Sequence, residues 1–88
     1  MRMLIEDVMT ISGRGTVVTG VVREGRITLG SQAVITTAAG EKLSTVIKGI
    51  EMSRRLHDAA LDGDKCGILV SDITRKQVNR GDVLTLFC

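Results

Sequence analysis

The sequence predicts an all-β fold, a small antiparallel barrel that is closed or nearly closed, on three observations. Proline is absent, and ten glycines divide the 88 residues into short segments. Those segments, about five to ten residues each, are rich in Val, Ile, Thr and Leu, which is the spacing of a sandwich or barrel. No helical apolar period persists long enough to support an independent helix. Closure follows from the edges: short strands with bare edges invite association, and curling the sheet onto itself removes them.

The first strand is expected over Leu4–Ile11 and the second over Thr16–Val22. Between them, the Ser12-Gly13-Arg14-Gly15 corner permits backbone angles and close approaches that a Cβ would resist. Strands over Arg26–Leu29 and Gln32–Thr37 follow, separated by Gly30-Ser31. Further strands are expected over Leu43–Met52, Cys66–Val70 and Val83–Phe87. The corners Glu24-Gly25, Ala39-Gly40-Glu41, Asp62-Gly63-Asp64 and Arg80-Gly81-Asp82 suit turns, because Asp bonds its own backbone and Gly accepts positive φ. Ser53–Ala60 and Thr74–Val78 are expected to form short helical turns. Lys42, Lys48, Arg23 and Arg26 place charge on or beside the strands.

Strand parity separates an inner from an outer face. Cys66, Ile68 and Val70 share one face and are expected inside, which leaves Gly67 and Leu69 outside. In the second strand Val18 and Val22 share one face, while Val17 and Val21 share the other. An outward Val17 and an outward Leu69 beside a glycine corner form the floor of a shallow apolar pocket, or else a surface covered by loops or a partner domain.

Composition narrows the function classes. One domain over residues 1–88, with 43% hydrophobic and 25% charged residues, has the make-up of a soluble globule. The apolar runs are far below the roughly 18 residues that cross a membrane, so no membrane partner is expected. The N-terminus lacks a secretory pattern, and the expectation is a cytoplasmic protein. Cys66 and Cys88 are too few for a disulfide framework and lack zinc-ligand spacing. Cys66 is expected buried and slow to react, Cys88 exposed and fast. The net charge of +2 is weak, although Arg54-Arg55 and Arg75-Lys76 with Arg80 are candidates for phosphate contact.

Catalytic groups are missing. The single histidine, His57, is expected in an exposed loop, and Glu6-Asp7 point to opposite faces of a strand. The Ser12–Thr16 segment lacks the lysine and following helix of a phosphate-binding loop. With no nucleophile–base pair, no metal set and no cofactor motif, the chain is expected not to be an enzyme. Phe87 is the sole aromatic residue, which excludes a base-stacking platform.

The block I-E-D-V-M-T-I-S-G-R-G-T-V-V-T-G-V-V-R-E-G at Ile5–Gly25 resembles the start of the second domain of bacterial elongation factor Tu. The likeness continues through Gly49–Leu56 (G-I-E-M-S-R-R-L), Asp62–Val70 and Ile73–Leu84, nearly the whole chain. It implies a Greek-key β-barrel of the translation-factor domain 2 type, which normally follows a GTPase domain. It also implies a site for the aminoacylated 3′ end of transfer RNA. By that resemblance Glu51 meets the terminal adenine, Ile11, Gly13, Val17 and Leu69 line the pocket, and Arg54 lies near the ester. Lys65 stands where the family has an asparagine directed at the aminoacyl group, and Ser53 replaces an aromatic residue.

Two functional expectations stand together. One is a barrel that binds an aminoacyl-transfer RNA or other RNA end, with a GTPase domain as neighbour if the chain is a fragment. The other is a protein-interaction scaffold whose RNA-end pocket is vestigial. Docking surfaces left bare by neighbouring domains tend to find partners, so weak homo-association is expected at high concentration if the chain is alone.

Overall fold

β-Branched residues at alternate positions give each strand one face that must leave water, and a ring of strands buries all those faces at once. The computed structural model describes residues 1–86, so Phe87 and the expected fast-reacting Cys88 lie outside the described residues. Its strands are β1 Arg2–Leu4, β2 Asp7–Ile11, β3 Gly15–Arg23, β4 Ile27–Thr28 and β5 Gln32–Thr36. They continue with β6 Lys42–Met52, β7 Arg55–His57, β8 Ala59–Ala60, β9 Lys65–Val70 and β10 Val83–Leu86.

Six of these, in the order β1-β10-β5-β6-β9-β3, close into an antiparallel barrel because β1 pairs with both β10 and β3. Three sequential strands β5, β6 and β9 lie side by side, and β10 returns to sit beside β5, which is Greek-key connectivity. β2 extends the wall outside the closed ring on β3, β7 extends it on β6, and β4 pairs with β8 in a separate ribbon. The barrel interior is filled from every strand of the ring: Met3, Val18, Val22, Ile35, Ile47, Ile50, Ile68 and Leu84 are at most 1% exposed.

Two expectations about elements are corrected. The stretch Leu4–Ile11 is not one strand, because Ile5 leaves the ladder to exchange backbone hydrogen bonds with the Gly81-Asp82 corner at 2.8 Å. Gly20 makes that break possible, since a methyl group there would overlap the Leu4 carbonyl oxygen and stand 2.8 Å from Met3 Cγ. The segment Ser53–Ala60 forms no helical turns. Ser53 (φ 53°) and Arg54 (φ 64°) make a tight hairpin corner with both residues left-handed, and β7 and β8 follow it. His57 therefore lies half-buried on β7, not in an exposed loop, with Nε2 3.2 Å from the Met52 carbonyl oxygen. The other helical expectation is met by a 3-10 turn at Arg75–Gln77, where Thr74 N–H donates to Gln77 Oε1 at 2.8 Å.

Parity in β9 is as expected, with Cys66, Ile68 and Val70 inside. Burial, and secondarily the nearby Asp64 charge, push the Cys66 thiol from 9.0 up to about 11. At pH 8 its thiolate fraction is therefore roughly a hundredfold below that of a free cysteine, and a reagent reaches it only through opening of the barrel. Native-state labelling with a thiol reagent should be at least a hundredfold slower at Cys66 than in urea. Equal rates would remove this strand register. Because the folded state holds the thiol proton more tightly, this contribution to stability is complete below pH 9 and drains away as pH rises toward 11.

Candidate functional site

The outer wall of β2, β3, β9, β6 and β7 carries the candidate site, and one irregularity in β6 determines what it presents. Ile47 pairs with Val70, but Gly49 pairs with Leu69, so Lys48 is one extra residue on the β6 side. A bulge of this kind reverses the inside–outside alternation beyond it. Thr45 and Ile47 face inward before the bulge and Ile50 after it. Gly49 and Glu51 are thereby turned outward, beside Leu69 and Gly67.

A shallow depression of about 30 Å³ results, with Val17, Leu69, Gly49 and Gly67 as its floor and Ile11, Arg14, Glu51 and Leu56 around it. Val17 and Leu69 are directly paired across β3 and β9. Val17 is only 9% exposed yet lies outside the barrel's core cluster, so its burial comes from this outer wall. The two glycines keep the floor low: a methyl on Gly67 would come within 3.3 Å of Val17 Cγ1, and one on Gly49 within 3.4 Å of Leu69 Cβ. Leu56, paired with Glu51, is 69% exposed and rises at the edge. A flat ring can rest on this floor but cannot enter it.

A second groove of about 250 Å³ adjoins the first and shares Ile11, Val17, Glu51 and Gly67 with it. Arg54 and Lys65 line this second groove and not the first. Arg54 is presented by the left-handed hairpin corner, a conformation that costs a side-chain-bearing residue about 1 kcal/mol. Lys65 Nζ lies 3.4 Å from Glu6 Oε1, with both side chains well exposed.

The structure thus brings together Ile11, Val17, Glu51 and Leu69 around one floor, with Arg54 and Lys65 beside it. Gly13 lines neither depression. It occupies the third position of a turn closed by Arg14 N–H donating to the Ile11 carbonyl at 3.0 Å, and its φ of 78° is what a type II turn requires there. Sequence reasoning missed Arg14, Gly49 and Leu56. Parity with Leu69 pointed to Gly67, whereas no local signal separated Arg14 from an ordinary corner residue.

Arg75, Lys76 and Arg80, grouped by sequence, do converge on a larger open groove of about 540 Å³ beside β2. Its lining is mostly charged and polar, and Arg80 Nε already donates to the Glu6 carbonyl at 2.9 Å. The glycine-floored depression, with apolar atoms below and a carboxylate at the rim, is better suited to orient a small ligand, although it is much the smaller.

Among the described residues no group of three or more His, Cys, Asp or Glu side chains is placed to hold a metal ion. Among the described residues no helix is long and apolar enough to cross a membrane. The family model for elongation factor Tu domain 2 matches residues 15–85, a span that runs from the start of β3 into β10. That match, which reaches every strand of the six-stranded closed antiparallel barrel except β1, makes this chain a translation-factor barrel module, and it belongs to the elongation factor Tu domain 2 family.

Proposed function

We propose that the barrel binds the aminoacylated 3′-terminal adenosine of transfer RNA, beside a GTPase domain, and supplies no catalytic group of its own. The observation that carries this reading is the carboxylate of Glu51 at the rim of an apolar floor made by Val17, Leu69 and two glycines. An ionised carboxylate only accepts hydrogen bonds, so it pairs with the amino edge of a purine such as adenine while the ring face covers the floor. The ribose and its ester then extend toward the adjoining groove, where Arg54 stands.

Affinity for a small fragment is expected to be poor, because the floor is shallow and a ligand must offset its own lost freedom. Backbone amide NMR titrations with adenosine and with a non-hydrolysable 3′-aminoacylamido-adenosine test the reading. Shifts should centre on residues 11–17, 49–56 and 67–69. Glu51→Ala should weaken both ligands about tenfold, the usual cost of 1–3 kcal/mol for losing one partner of a hydrogen bond. Arg54→Ala should weaken the aminoacyl form more than adenosine. Shifts scattered over the surface, or indifferent to Glu51→Ala, would leave the barrel as a protein-interaction scaffold.

A further inference from the structure

We infer that the groove beside the glycine floor selects an acyl group carrying a side-chain carboxylate, with Lys65 as the specificity-determining residue. The inference rests on the binding reading above, which places the acyl group in that groove and engages Glu51 with the adenine. The groove itself is asymmetric in charge. Arg54 and Lys65 are its cations, Glu51 is its one carboxylate, and Met9, Val17 and Thr19 supply much of the remaining wall. With Glu51 engaged by the adenine edge, the charges left facing an acyl side chain are both positive.

The Lys65–Glu6 contact does not cancel this field. Glu6 is outside the groove lining, and both partners are well exposed, with side-chain exposures of 72% for Lys65 and 44% for Glu6. Pairs of that kind are weak, and an ammonium has three donors, so Lys65 can hold Glu6 and a ligand carboxylate together or exchange one for the other. A carboxylate side chain adds a charge–charge attraction to both cations that a neutral amide of the same shape lacks. A cationic side chain is repelled by Arg54 and Lys65 alike. The groove is open to water, so the discrimination is modest and salt-dependent.

The experiment compares two non-hydrolysable 3′-amides of adenosine, aspartyl and asparaginyl, which differ in charge and hardly in shape. On the wild-type protein at low salt the aspartyl amide should bind roughly five- to tenfold more tightly by NMR titration. Lys65→Asn, a change at an exposed position, should leave adenosine binding unchanged and sharply reduce the aspartyl preference without inverting it, because Arg54 remains as the groove's other cation. Glu6→Gln, which frees the ammonium, should widen the preference. Equal affinities on the wild type, with both amides still weakened by Glu51→Ala, would overturn the charge selection and leave the adenosine site standing. If neither amide nor adenosine binds, the site itself falls, and this inference with it.

Discussion

Gly20→Ala is expected to cost about 3 kcal/mol or more and to leave the protein barely folded at 25 °C. Gly20 is buried in the middle of β3, opposite Cys66, where the chain between β1 and β2 crosses over it. The added methyl would overlap the Leu4 carbonyl oxygen, which is backbone and cannot rotate away, and would also press on Met3 Cγ at 2.8 Å. Forced overpacking costs about 1–3 kcal/mol when side chains can shift, and more when a backbone segment must move. A small domain has only about 5–10 kcal/mol in hand. Urea unfolding followed by circular dichroism measures the loss. A midpoint matching wild type would mean that β1 and β2 do not part company over Gly20.

Asp82→Ala should produce the next largest loss, about 2–4 kcal/mol. The Asp82 side chain is 2% exposed and joins two loops: Oδ1 accepts from Ala38 N–H at 3.2 Å and Oδ2 from Asn79 N–H at 2.8 Å. Its backbone carbonyl also accepts from Ile5 N–H at 2.8 Å, fixing the break between β1 and β2. Alanine keeps the backbone bond but removes two charge-assisted bonds, to the amides of Ala38 and Asn79, and so unties the two loops from each other. Asn offers one oxygen in place of two, so Asp82→Asn should fall between wild type and Asp82→Ala. In a domain of this size the alanine variant should melt roughly 10–20 °C lower by calorimetry. A shift under about 3 °C would show that water replaces the carboxylate freely.

Much of this architecture is legible from residue types. Alternating parity in Cys66–Val70 and the Gly- and Asp-rich corners located β9 and the turns, because period-two burial and positive φ leave direct marks on composition. The Ser53-Arg54 corner leaves none: neither Gly nor Asn occupies a position where both residues are left-handed, so residue types predict helical turns where β7 and β8 form. The β6 bulge was equally quiet, although Ile47 and Ile50, three apart and both buried, are the trace it leaves. Without that bulge Glu51 would point into the barrel, which is why the resemblance, not the strand pattern, marked it as a site residue. Likewise nothing in Leu4–Ile11 announces that the chain stops pairing at Ile5. The cue sits at Gly20, on a different strand.

The seam that closes the barrel, Arg2–Leu4 against Val83–Thr85, also sets the order in which the molecule can be built. Its partners lie about eighty positions apart in sequence, so the entropy of bringing them together is spent before any of the ladder repays it. While β10 is still emerging from the ribosome, Met3 has no Leu84 to face, and β5 and β1 both keep an open edge. The nascent chain must therefore wait as an unclosed sheet. It is in that interval, and not as the finished ring, that it is most exposed to pairing with a neighbour.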